Sequence, residues 1–279
     1  MGLFYFKKVS ALNTALYNGY ARVIQLKDKT LICVYEEDGS VVAVKSSDLG
    51  NIWAGRIIIA GKQSHINMAV PDVLELRDGS LLVCYNPRPF NIDPSLKICY
   101  PNKKSYDSGL SWKDERLLYE AGHTFDNGCW EPSAIQLPNG EIQLFFANEG
   151  IYQNSNEQNI SILRSSDGGL TWTTNPQIVS FRDGKRDGMP SPLITKNKEN
   201  ILFSIEDNGT VNFKPYIIRS KVSDNWSTEI GGNSINRTYA LADKIDDSCL
   251  CRRSIPAPIA NRRIGTLLPG NGKQAQQDE

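Results

Sequence analysis

Ser165-Ser166-Asp167-Gly168-Gly169-Leu170-Thr171-Trp172 decides the fold, because the chain writes it more than once. Ser46-Ser47-Asp48-Leu49-Gly50-Asn51-Ile52-Trp53 and Ser105-Tyr106-Asp107-Ser108-Gly109-Leu110-Ser111-Trp112 share its pattern, Ser-x-Asp-x-Gly-x-x-Trp. A decayed fourth copy covers Ser220–Trp226. Tryptophans at 53, 112, 172 and 226 therefore recur about every 57 residues, the scale of a repeat architecture. Ahead of each copy lies a hairpin signature: Leu26–Leu31 around Asp28-Lys29, Leu76–Leu81 around Asp78-Gly79, Leu137–Ile142 around Asn139-Gly140, and more loosely Ile194–Ile201. Such pairs tolerate positive φ and so turn a chain tightly between apolar runs. Each repeat reads strand, tight turn, strand, variable loop, strand, Asp-containing turn, strand. Short strands, no helical periodicity and this period predict four-stranded blades, hence an all-β propeller. A sandwich would not repeat a complex turn at this spacing.

The octapeptides themselves read as structural. Their aspartates can accept backbone N–H groups within the turn, glycine supplies an unusual backbone angle, and tryptophan packs over the hairpin. Equivalent copies of Asp48, Asp107 and Asp167 cannot all face one substrate on the propeller axis.

Composition narrows the function. Of 279 residues, 31 are Lys or Arg and 31 Asp or Glu, so net charge gives no reason to expect a nucleic acid or an anionic membrane as partner. No apolar run approaches the ~18 residues needed to cross a bilayer. Met1–Ser10 carries no apolar core of a secretory signal, and localisation stays open. Six cysteines are too few for a disulfide scaffold, and Cys33 and Cys84 sit in apolar runs as buried thiols. Cys249 and Cys251 lack a partner pair for zinc. With His65 and His123 as the only histidines, a metal centre or a histidine-based triad is a poor reading, and no cofactor is expected.

The octapeptide is the Asp box, and at this spacing the chain resembles the sialidase-type propellers. Within them it is more similar to glycoside hydrolase family 93, the exo-α-1,5-arabinanases. The matching segments are Gly19-Tyr20-Ala21-Arg22-Val23, Pro71-Asp72-Val73-Leu74-Glu75-Leu76, Trp130-Glu131-Pro132, Arg186-Asp187-Gly188-Met189-Pro190 and Phe203-Ser204-Ile205-Glu206. The resemblance implies a six-bladed fold of which about four blades occupy 17–248, after a lead-in at 1–16. It implies exo-acting, retaining cleavage of an oligosaccharide or polysaccharide, arabinan-like, with Glu131 as acid/base and Glu206 as nucleophile. One carboxyl must stay protonated to donate to the leaving oxygen while the other stays ionised, about 5–5.5 Å away for retention. Arg22, Asp72, Arg88, Trp130, Arg186 and Asp187 are the expected substrate binders. Tyr85 and Phe146 are further candidates for sugar stacking, Phe146 being better suited to the core.

Other readings stay open. An exo-α-sialidase would clamp a carboxylate with three arginines and attack with a tyrosine; Arg22 matches the first arginine, but Ile24 replaces the usual proline. A non-catalytic carbohydrate-binding propeller, or an inactive truncated one, would need neither glutamate to act. The segment 249–279 breaks the repeat. With suitable synonymous codons, Leu250–Pro256 read one base later gives Tyr-Ala-Gly-Ala-Pro-Tyr, the kind of continuation such a propeller would have. The tail is therefore expected to be frameshifted, leaving unclosed blade faces through which copies could associate.

Overall fold

The computed structural model describes residues 16–90, 95–209 and 214–240, with the backbone of 263–264. Sixteen strands form four antiparallel blades in chain order. The first holds β1 (Asn18–Gln25), β2 (Leu31–Glu37), β3 (Ser40–Ser46) and β4 (Ala54–Ala60). The second holds β5 (Ile66–Glu75), β6 (Leu81–Pro89), β7 (Cys99–Ser105) and β8 (Lys113–Glu120). The third holds β9 (Cys129–Gln136), β10 (Ile142–Asn148), β11 (Asn159–Ser165) and β12 (Gln177–Ser180). The fourth holds β13 (Asp187–Ile194), β14 (Asn200–Asp207), β15 (Lys214–Lys221) and β16 (Arg237–Tyr239). The strands of each blade pair in simple sequence order, and β1, β5, β9 and β13 lie side by side as the inner strands. This is a propeller arrangement, with one 3-10 turn (Phe125–Asn127) as its single helical element among the described residues. A two-residue strand, β17 (Arg263–Ile264), pairs with β1. The rest of the expected aberrant tail, 249–279, and the lead-in up to residue 15 lie outside the described residues.

The repeated signatures build the same objects four times. In the inner hairpin turns the N–H groups of Leu26, Leu76, Leu137 and Thr195 bond to Thr30, Ser80, Glu141 and Asn200 carbonyls. Asp28, Asp78, Asn139 and Asn197 each accept the N–H two residues on. The left-handed residue is Gly79 or Gly140 in two turns, but Lys29 (φ 75°) and Lys198 (φ 61°) in the others.

In the Asp boxes, Asp48, Asp107 and Asp167 accept N–H groups from Ile52, Ser111 and Thr171 at 2.8–2.9 Å. Each box serine caps the glycine N–H. The residue before each box serine then reaches the next blade. Lys45 donates to the Ser108 carbonyl, Lys104 to that of Gly168, and Arg164 to that of Asn225. The equivalent residue of the fourth blade, Arg219, is exposed.

Cores form between blades. Ile32, Val34 and Ala43 pack with Val73, Val83 and Tyr85; Leu82, Cys84 and Tyr100 with Leu144 and Phe146; Phe145 and Ile162 with Phe203, Ile205 and Trp226. Cys33 and Cys84 are buried thiols, and burial pushes Cys33 up to about 12. Trp226, from the decayed repeat, is 1% exposed and more deeply buried than Trp53, Trp112 or Trp172. Strands β2 and β10 are buried on both faces, whereas β14 alternates, with only the Ile201–Phe203–Ile205 face buried.

Candidate active site

Each inner strand carries one extra residue against its neighbour, a β-bulge, at the same height. The bulged residue is left-handed in all four: Tyr20 (φ 51°), Val70 (44°), Glu131 (59°) and Met189 (55°). Bulges tolerate proline and re-aim side chains, which is why Pro71, Pro132 and Pro190 follow directly. Non-glycine residues held there carry strain of about 1–3 kcal/mol each, a cost that persists where the surrounding structure enforces it. Glu131 is the one acid among the four.

Around this level lies a cavity of about 350 Å³ lined by Arg88, Trp130, Glu131, Glu149, Gln158, Arg186, Gly188, Met189 and Glu206. Glu131 comes from β9 of the third blade and Glu206 from β14 of the fourth; both are half-buried. The Met189 N–H donates to Glu131 Oε2 at 3.0 Å, tying the bulges of adjacent blades together. The Arg88 guanidinium lies over the Trp130 ring, 4.9 Å from its centroid, and its Nε donates to Asn86 Oδ1. Gly128 also lies against Trp130 and leaves no space for a Cβ beside the indole.

The cavity thus gathers Glu131, Glu206, Arg88, Trp130 and Arg186 from the eight expected site residues. Three lie elsewhere. Asp72 is buried and accepts from Ser133 Oγ (3.0 Å) and the Ala134 N–H (2.8 Å). Arg22 stands 4.0 Å from Asp72, so these two belong to a belt joining the first three inner strands, two residues beyond the bulge. Asp187 is fully buried, accepting from Ser180 Oγ, Arg182 and Arg237 in a network shared with Asp207. Its backbone opens β13, but its carboxylate is consumed by the protein, which corrects the expectation that it faces a substrate. Tyr85 is likewise in the core, its hydroxyl bonded to Glu115, and Phe146 packs edge-on against Tyr100.

Glu149 and Gln158 were not anticipated. Glu149 ends the apolar run of β10 in Asn148-Glu149-Gly150 without a motif around it, and only the tertiary structure turns it into the cavity wall. It is 1% exposed and pairs through Oε1 with Arg186. Burial pushes its carboxyl up; Arg186 and Trp130 oppose this, and Glu131 reinforces it. Among the described residues no three His, Cys, Asp or Glu side chains converge to hold a metal ion, and no helix is long and apolar enough to cross a membrane.

No family model and no curated protein sequence matches this chain. Solved structures match it in fold. A family 93 α-L-arabinofuranosidase of Fusarium graminearum, in complex with arabinobiose, is 20% identical with a TM-score of 0.60, over 72% of this chain and 62% of that one. The α-L-arabinanase of Penicillium chrysogenum, also with arabinobiose, is 18% identical with a TM-score of 0.60, over 73% and 62%. A Trypanosoma rangeli sialidase bound to the inhibitor DANA is 16% identical with a TM-score of 0.51, over 73% and 36%. The chain spans 62% of the length of the arabinofuranosidase and the arabinanase. At these identities the likeness is one of fold, a sialidase-like propeller resembling that of family 93.

Proposed function

We propose that this protein is a glycoside hydrolase that releases a neutral terminal sugar, arabinofuranose-like, using Glu131 and Glu206. The observation that carries the reading is the meeting of these two carboxylates, from different strands of adjacent blades, in one cavity. In this reading Glu131 protonates the glycosidic oxygen as the bond to the anomeric carbon breaks, and Glu206 attacks that carbon to form a glycosyl-enzyme. Glu131, now ionised, takes a proton from water, whose oxygen displaces Glu206 with net retention. The Met189 N–H on Glu131 Oε2 fixes the orientation of the acid. The volume suits a small glycosyl unit, at the low end of ligand pockets.

Charge favours a neutral sugar over a sialic acid. The cavity holds three carboxyl groups, Glu131, Glu149 and Glu206, against two guanidinium groups, Arg88 and Arg186. Arg186 is already paired with Glu149, and Arg22 stands beside Asp72. Among the described residues a sugar carboxylate would meet no free three-arginine clamp, and it would add like charge.

The test is hydrolysis of 4-nitrophenyl α-L-arabinofuranoside beside an aryl sialoside. Hydrolysis of the arabinofuranoside is expected, with kcat/KM falling about 10²–10⁴-fold in Glu131→Gln and at least as far in Glu206→Gln, unfolding midpoints unchanged. NMR of the first-formed product should show retained anomeric configuration. Undiminished activity in both variants would reject the assigned pair; absence of hydrolysis on any aryl glycoside would favour a binding module.

A further inference from the structure

Among the buried side-chain polar atoms of the described residues that line the cavity, Glu149 Oε2 is the one without a hydrogen-bond partner, in a residue 1% exposed. Its sister oxygen is committed to Arg186, and the Trp130 side chain further favours the carboxylate without forming a hydrogen bond to Oε2. Arg186 is itself held from every side. Its NH1 bonds to Asn156, its NH2 to both Glu149 and Gln158, and its backbone N–H to Asn208 Oδ1. Gln158 is fixed in turn by donating to the Asp187 carbonyl at 2.7 Å. The Glu149 backbone is anchored too, donating to the Gly128 carbonyl and accepting from Tyr152. A carboxylate so braced, with one oxygen idle in the wall of a cavity, is an acceptor waiting for a donor, since buried polar atoms in folded proteins are almost always satisfied. A neutral N–H or O–H donor suits it better than a cation, because Arg186 already balances the charge.

We propose that Glu149 is a substrate-positioning residue: its free oxygen accepts the O–H of one sugar hydroxyl, with Arg186 acting as its support rather than as a direct ligand. This rests on the glycosidase reading above and adds a residue to it. It also revises the role expected of Arg186, whose NH1 and NH2 donors are engaged within the protein. A site built around a hydroxyl acceptor rejects the analogue lacking that hydroxyl strongly, because the acceptor is then left buried and unpaired.

Calorimetric titration of methyl α-L-arabinofuranoside and its 2-, 3- and 5-deoxy derivatives tests this, in the wild-type protein, Glu149→Gln and Glu149→Asp. In the wild type, one deoxy derivative should bind at least about tenfold more weakly than the parent, and that same penalty should shrink to within about threefold in Glu149→Gln. Glu149→Asp keeps the charge but withdraws the oxygen, and should show the same loss of discrimination should the glutamine variant fold poorly. A purely structural role would lower affinity for all four sugars alike and leave the deoxy penalties intact, which would overturn the proposal. So would a wild type that binds none of the four or treats them equally. Binding with the expected pattern but without turnover would sink the catalytic assignment of Glu131 and Glu206 while leaving Glu149 in place.

Discussion

Neighbouring residues in one sequence motif do different physical work here. In Arg186-Asp187, the arginine stands in the cavity wall while the aspartate is withdrawn into a network with Arg182, Arg237 and Asp207. Asp187 and Arg237 are 0% and 1% exposed at their side chains, so neither can find water if its partner goes. Asp187→Ala is therefore expected to lower the free energy of unfolding by about 3–5 kcal/mol, the usual result of stranding a buried charge, measured by urea denaturation. Gly128 is another residue of narrow purpose. A methyl group there would displace the Trp130 indole and break its stack with Arg88. Gly128→Ala should raise KM for the arabinofuranoside more than it lowers kcat; an unchanged KM would show that the indole position is unimportant.

Turns are the elements on which the fold depends, and they make separate predictions. The Asp167 carboxyl is held at about 2 by the Thr171 hydroxyl and backbone N–H, and Asp107 is held lower still by Ser111. Because these folded-state values lie below the unfolded one near 4, their stabilisation is complete above about pH 4 and disappears as pH falls towards 2. Asp107→Asn and Asp167→Asn should thus lower Tm at pH 7 and flatten its decline between pH 4 and 2; thermal melts across that range measure both. The inner hairpin turns offer the opposite sign. Lys198 holds a left-handed angle that Gly79 and Gly140 hold without steric cost in the sister turns. Lys198→Gly should stabilise the protein by about 0.5–1 kcal/mol, after allowing for the extra freedom of glycine in the unfolded chain.

At the scale of the molecule, the blades are coupled by side chains that each needs from the next. Phe203 of the fourth blade is fully buried, with ring centroids 5.3 Å from both Phe145 of the third blade and Trp226. Phe203→Ala should cost about 3–5 kcal/mol, and, because the cavity spans those blades, should weaken arabinofuranoside binding as well. A stability loss with unchanged binding would mean that the site does not depend on this inter-blade packing. The Lys45, Lys104 and Arg164 bridges repeat at each described blade boundary. Arg219 continues the series on a face where β14 is only half-buried, so among the described residues the fourth blade ends the stack.

The repeat was legible because its information is local. Ser-x-Asp-x-Gly-x-x-Trp and the Asp-Gly or Asn-Gly pairs define turns through bonds between residues two to four apart, and a regular period turns four such units into blades. Glu131 was singled out through the resemblance that Trp130-Glu131-Pro132 carries, and the structure holds it at the bulge of β9, directly before Pro132. Which carboxylates share a cavity is not local information. Glu149 and Gln158 reach the site, and Asp72 and Asp187 are taken out of it, through partners 28–62 residues away in the chain. Sequence determined the blades by short-range hydrogen bonding. Only the packing of one blade on the next, which buries some acids against arginines and leaves others beside the cavity, decided which acids line it.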